Sequence, residues 1–259
     1  MRKLNIKKLL SKTWGKIILT VLGILLVFFL WWIISVAVNN YALLPSPINV
    51  IPIFGSLLTN GNVYIAIGAT LIRLLISFII SFAIAFILGV IGGLFPLFHT
   101  LINPLIIVLR TIPTAAVILI LIVLLKPVIA LTLIVFLMMF PLLYEAIRGG
   151  IFNIDETIKQ SLRLESNVYS PKSIFKVLLP TAMPTISLGV IQSLGLGMKV
   201  SLMAEILVGN PKVKGLGMMI KNYYNYVEMD YVLALSLIGV LLIGLLDLTL
   251  HLVKKKIQK

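Results

Sequence analysis

Apolar residues in this chain come in long unbroken runs, and polar positions gather in short stretches between them. The first run extends from Ile17 to about Val38. Five more cover roughly 63–94, 98–125, 128–147, 182–208 and 230–253. Each reaches the ~20 residues that cross a bilayer core. The pattern predicts an all-α polytopic membrane protein with six transmembrane helices. Residues 39–62 carry no charge but hold Pro45, Pro47, Pro52, Gly55 and Gly61, which predicts an external loop with a short interfacial helix. A longer polar stretch, 148–180, separates the fourth run from the fifth. The chain divides into 1–60 (basic tail, first span and external loop), a main body at 61–255, and a tail at 256–259.

Composition agrees with a lipid solvent. Hydrophobic residues make up 60% of the 259 and charged ones 12%, against about 25% charged in soluble domains. The absence of cysteine excludes disulfides, a thiol nucleophile and cysteine metal sites. His99 and His251 are too far apart in sequence to form a metal-ligand motif, and no catalytic or metal site is expected. The net charge of +14 is not spread as in a nucleic-acid binder, because basic residues cluster at the ends of spans. With the N-terminus inside, fifteen basic residues fall on the inner side (1–16, 148–180 and the C-terminus) and four on the outer (Lys126, Lys212, Lys214, Lys221). This bias predicts both termini in the cytoplasm and an even number of spans. The first run is longer than the 7–15 apolar residues of a signal peptide, so it is expected to remain as a span.

Two spans carry small or polar residues at every fourth position. These are Ala69, Arg73, Ser77, Ser81, Ala85, Gly89 and Gly93 in the second, and Thr181, Thr185, Gly189, Ser193, Gly197, Ser201 and Glu205 in the fifth. Such stripes let helices approach closely. Charges inside spans normally face the bundle interior or a water cavity, so Arg73, Arg110, Lys199 and Glu205 become translocation-pathway candidates. Pro113, in "RTIPT", removes a helical hydrogen bond and predicts a kink beside Arg110. Two readings of Arg110 stand: it lines an opening pathway, or it pairs with Glu145 or Glu205. Lys199 and Glu205 have a plainer alternative as well, snorkelling to the outer interface. Asp247 and His251, four apart near Lys254–Lys256, fit interfacial anchoring.

Segment 148–180 predicts two short amphipathic helices. Asn153 and Glu156 suggest a capping box for the first, with Ile154, Ile158 and Leu162 on one face. Ser170 and Pro171 start the second, Ile174, Val177 and Leu178 form its apolar face, and Pro180 stops it. Such helices can lie on the membrane or dock in a partner.

Residues 177–180, "VLLP", resemble the I-x-L-P ending of the cytoplasmic loop in inner-membrane permeases of bacterial ABC importers, particularly the nitrate/sulfonate/taurine-type branch. The E-A-A-x-x-x-G pattern that precedes it there is degenerate here, with Ser161, Leu162, Arg163 and Asn167 at the corresponding positions. "TLIRLLISFIISFAIAFILGVIGG", "NPLIIVLRTIP", "FPLLYEAIRGG" and "MAEILVGNPKVKGLG" resemble further family segments and occur in family order. The end of span three, "LILIVLLKP", departs by lacking the usual proline and W-F-G.

The resemblance implies a multi-pass subunit of the bacterial cytoplasmic (inner) membrane with no nucleotide site or cofactor of its own. ATP and magnesium would belong to separate ABC ATPase subunits. A second permease copy would complete the pathway, and an external solute-binding protein would deliver the solute. The coupling residues would be Ile158, Ser161, Leu162, Arg163, Asn167, Ile174, Val177, Leu178, Leu179 and Pro180. The expected solute is a small organic or inorganic anion, or a vitamin precursor. Residue chemistry agrees on one point, since the chain has no G-x-x-x-x-G-K-[ST] loop; "GLGMKVS" at 195–201 reads as helix packing. The competing reading is an ATP-independent secondary transporter or channel using Arg110, Lys199 and Glu205. A membrane scaffold that moves no solute would have no use for buried charges.

Overall fold

The structure is a computed structural model describing residues 13–165 and 167–257. Among these, ten helices follow in chain order: α1 Thr13–Val38, α2 Pro47–Leu57, α3 Gly61–Leu94, α4 Pro96–Thr111, α5 Thr114–Leu124, α6 Pro127–Phe152, α7 Glu156–Glu165, α8 Pro171–Val208, α9 Leu216–Asn225 and α10 Met229–Ile257. Helices α1, α3, α6, α8 and α10 are each long and apolar enough to cross a bilayer. The short helix expected within 39–62 is present as α2. Most of the N-terminal basic cluster, Arg2 to Lys12, lies outside the described residues.

The stripe on α3 sets the centre of the bundle. Ser77 Oγ donates to Thr132 O (2.9 Å) and Ser81 Oγ to Phe136 O (3.0 Å), both across 55 positions in the chain. A Cβ on Gly89 would press on Tyr144 O (3.2 Å), and one on Gly93 on Arg148 O (3.1 Å). All four contacts share one offset, so α3 and α6 run parallel, in register over four turns. Hydroxyls satisfy carbonyls across the seam, and glycines let the backbones meet.

This register explains the bent pair α4–α5, whose axes differ by 94°. Helix α3 ends beside the last turns of α6, whereas α6 begins level with residue 72. Segment 95–126 must therefore climb back about 33 Å, at 1.5 Å per residue, which is about one hydrocarbon thickness. Helices α4 and α5 are thus one broken crossing and not a re-entrant loop. Helix α8 runs antiparallel to α6, with Gly150 against Ala182 and Gly189 against Ala146. Helix α10 runs antiparallel to α8, with Gly195 beside Asp247 and Gly239 beside Leu202. At one end, Trp31 Nε1 donates to Pro45 O (3.1 Å) and Ser35 Oγ to Leu44 O (2.8 Å), tying α1 to the loop before α2. Val50, Leu57, Val63, Leu216, Ile220, Ala234 and Leu235 form a second core there. With the bent pair counted as one, the described residues supply six apolar crossings.

Two expectations for 148–180 are corrected. The cap of α7 is Asp155, whose Oδ1 accepts from Thr157 N–H (2.8 Å), while Asn153 closes α6. Asp155 wins because α6 continues to Phe152, leaving Asn153 committed to that helix. Ser170 does cap the next helix, its Oγ accepting from Ser173 N–H (3.1 Å), with Pro171 in the first turn. Pro180, however, does not stop it: α8 runs unbroken from Pro171 to Val208. A π-turn at Ile174–Leu178, closed by Leu179 N–H to Ile174 O, widens the helix just before the proline. Pro180 has no N–H to give, and the wider turn relieves its ring of the carbonyl that would oppose it.

Candidate functional site

At the loop-209–217 end of the bundle, the charges of α3 and α8 meet. Arg73 Nη1 pairs with Glu205 Oε1, and Arg73 Nη2 donates to Lys214 O (2.9 Å). Thr70 Oγ1, one turn before Arg73, donates to the Glu205 carboxylate (2.9 and 3.0 Å) and accepts from Leu216 N–H (3.0 Å). Gly217 N–H donates to Glu205 Oε2 (2.8 Å). Glu205 is 0% exposed. A carboxylate is stable there only because a guanidinium, a hydroxyl and an amide replace its water. The backbone must come close to do this: a Cβ on Gly215 would stand 2.5 Å from Glu205 Oε2, and one on Gly217 2.5 Å from Leu202 O. Gly209, in the left-handed region at φ 57°, turns the chain out of α8 to form the loop. Arg73 and Glu205 are thus committed to each other. Glu205 neither snorkels to an interface nor serves Arg110.

Half-way along the broken crossing the chain leaves the helix at Ile112 and Pro113, both with extended backbone. Thr114 Oγ1 contacts Met138 Sδ (3.5 Å), which in the α3–α6 register lies level with residue 83, the middle of 72–94. The kink expected at Pro113 is a full break. Arg110, in the last turn of α4, is exposed on the surface of this single chain. On α8, Gln192 and Lys199 are also exposed, and with Asp247 of α10 they border a groove of about 380 Å³ floored by Ile191, Gly195, Leu196 and Ile243. Lys199 lies about 9 Å before Glu205 along α8, on the membrane side of the clasp. Gly197 packs on Met139 and Leu74, as expected for "GLGMKVS". The side chain of His251, expected with Asp247 to anchor at the interface, lies outside the described residues.

At the other end, 153–180 divides into a buried and an exposed set. Leu162, Leu178 and Leu179 are in the core, Ile158, Ile174 and Val177 are half-buried, and Ser161, Arg163, Asn167 and Pro180 are exposed. The large apolar side chains that do reach solvent are Leu164 (90% exposed), Phe175 (62%) and Tyr169 (52%). Glu156 sits near Lys159 (3.7 Å) and Arg163 (3.5 Å), and Lys159 Nζ also donates to Phe152 O (2.8 Å). The sequence reading overlooked Leu164, Phe175, Thr70, Gly215 and Gly217. Thr70, three residues before Arg73, carried a signal of shared helical face; the exposure of Leu164 and Phe175 carried none.

Residues 81–259, more than two thirds of the chain, match the family model described as "Binding-protein-dependent transport system inner membrane component". No curated protein matches the chain.

Proposed function

The chain belongs to the family of binding-protein-dependent transport system inner membrane components, and we propose that it is the permease subunit of an ATP-driven importer for a small anion. Its membership makes it a multi-pass inner-membrane permease component that works with a solute-binding protein. The finer reading rests on one observation: two cations, Arg110 and Lys199, are exposed on spans, with Asp247 beside Lys199, whereas Arg73 is buried as a neutral pair with Glu205. Exposed cations at membrane depth are costly against lipid. A second copy that covers these positions would enclose them in water-filled space. Irregular backbone at Ile112–Pro113 fits such cover beside Arg110, because it is tolerated at membrane depth only against protein or water. Arg73, neutralised by Glu205, drops out of the cations available to a passing anion.

The inner side is the one that carries 148–180, by the bias of basic residues. There α7 and the start of α8 offer Leu164 and Phe175 to the groove of an ATPase subunit. ATP and magnesium act in that partner, and this chain contributes no catalytic group. Alternation between outward and inward openings would move α4–α5 against the packed α3, α6 and α8.

Reconstitution tests the proposal. The chain, purified with a co-expressed ATPase and supplied with a solute-loaded binding protein, should take up radiolabelled sulfonate, nitrate or pyrimidine-precursor probes only with ATP. Uptake by the chain alone, driven by an ion gradient and indifferent to ATP, would favour the secondary-transporter reading instead.

A further inference from the structure

Between α3 and α4 there is one non-helical residue, Phe95, with φ −120° and ψ 96°. It closes α3 through Phe95 N–H to Ile91 O (2.8 Å) and opens α4 by accepting from Phe98 and His99 N–H (3.0 and 3.2 Å). On one side of this joint α3 is locked to α6. On the other, α4 is loosely held: Ile106 is its single buried side chain among those described, and Leu97 and Leu101 are largely exposed. Its side-chain tether to α6 is His99 Nδ1 against Tyr144 Oη (3.0 Å). Helix α4 is therefore a lever about 24 Å long, hinged at Phe95, with Arg110 and the half-depth break at its far end. A swing of about 10° at the joint would carry that end about 4 Å.

The hinge is touched from the cytoplasmic loop. The Tyr169 ring stacks on the Phe95 ring with centroids 5.2 Å apart and planes 11° from parallel. Tyr169 itself is fixed by the turn between α7 and α8. Its N–H donates to Asn167 Oδ1 (2.9 Å), and Asn167 O accepts from Ser170 N–H (2.9 Å) and Ser173 Oγ (2.9 Å). Beside the stack is an open cavity of about 250 Å³, lined by Leu94, Pro96, Val168 and Tyr169 and by the charged Glu156, Lys159 and Arg163, among others. A packed core resists small displacements, whereas this cavity gives the ring pair room to move.

We infer that the Phe95–Tyr169 stack is the contact through which movement of the 153–178 loop reaches α4, and so sets the opening at Arg110. Tyr169 and Phe95 are positioning residues for transport and touch no solute. This rests on the importer reading above. The ring pair suits the role because an offset stack can slide without losing contact, and because it joins the α3–α4 joint to the loop that faces the ATPase.

The test uses the permease purified with its co-expressed ATPase in nanodiscs. The chain has no cysteine, so Leu105→Cys on α4 and Ile79→Cys on α3 can carry spin labels. In the otherwise unmodified chain the inter-label distance should shift between the nucleotide-free and the ATP–vanadate-trapped states. Tyr169→Ala and Phe95→Ala should each abolish the shift and lower stimulation of ATP hydrolysis by the binding protein about fivefold. The double variant should do no worse than either single one, and Tyr169→Phe, which keeps the ring, should restore both readouts. A full distance shift in Tyr169→Ala would overturn the inference and leave the importer reading standing. Absence of an ATPase partner, or of any nucleotide-dependent shift in the unmodified chain, would sink the importer reading and the stack's role with it.

Discussion

Removing one partner of the Arg73–Glu205 pair should destabilise this protein more than almost any other single change. In Glu205→Leu the guanidinium of Arg73 stays in a site that is nearly closed to water, keeping Lys214 O but losing its counter-ion. Gly217 N–H and the Thr70 hydroxyl lose their acceptor as well. Breaking a buried pair costs about 3–5 kcal/mol. At roughly 2–4 °C per kcal/mol for a chain of this size, that lowers Tm by about 6–20 °C. Arg73→Met should cost a similar amount, because it strands the Glu205 carboxylate. The double variant, Arg73→Met with Glu205→Leu, strands no charge and should cost clearly less than the two singles combined, since apolar replacement of a buried pair is often near neutral. Thermal unfolding of the detergent-purified protein, followed by intrinsic fluorescence, measures all four corners of this cycle. Single variants within about 1 °C of the unmodified chain, or a double variant whose loss equals the sum of the singles, would refute the idea that a desolvated ion pair clamps loop 209–217 to α3 and α8.

Three other outcomes follow from the geometry. On the 153–180 loop, Leu164→Asp and Phe175→Asp should leave membrane abundance unchanged while reducing ATP-driven uptake at least severalfold; Leu162→Asp and Leu178→Asp, which bury a charge, should instead lower abundance on an immunoblot. Gly93→Val should wedge α3 away from Ile151 of α6, whose Cβ already lies 2.8 Å from where a Cβ on Gly93 would stand. Overpacking of this kind costs about 1–3 kcal/mol, seen as a lower Tm in detergent. At Asp155, the hydrogen bonds from Thr157 hold the carboxyl below the usual aspartate range. Its capping contribution is therefore present above the ordinary aspartate value and lost as pH falls through the depressed one. Protection of α7 amides, corrected for the intrinsic fall of exchange rate with pH, should drop below about pH 4, and Asp155→Asn, whose carbonyl still accepts but does not ionise, should flatten that dependence.

The spans were legible in the sequence because their signal is local: a run of apolar residues long enough for a bilayer, ended by charge or proline. The stripe on α3 was legible for the same reason, since spacing by four sets a helical face without reference to any partner. Pro113 showed where the third span would fail, but not that two residues would leave the helix, because that depends on what α6 offers at Met138. The Arg73–Glu205 pairing was hidden by a separation of 132 positions, and only the packing of α3 on α8 decides which cation reaches Glu205. Pro180 misled because the rule against proline inside a helix assumes an α-helical turn before it, whereas this chain supplies a π-turn. Leu162 and Leu178 sit on the apolar face that amphipathic spacing identified, and that face turned inward. The solvent-facing Leu164 and Phe175 break the pattern, and no periodicity could single them out.

The most direct test of a water-filled path at Arg110 is thiol accessibility in the membrane. In nanodiscs containing the permease and its ATPase, Arg110→Cys and Lys199→Cys would be treated with a charged, membrane-impermeant thiosulfonate, with Leu75→Cys, an exposed apolar position on α3, as the lipid-facing control. Cysteines at 110 and 199 should react quickly in one nucleotide state and slowly in the other, while the control stays unreactive in both. Cysteines at 110 and 199 as unreactive as the control in every state would mean that this face meets lipid or dry protein, and that solute crosses elsewhere.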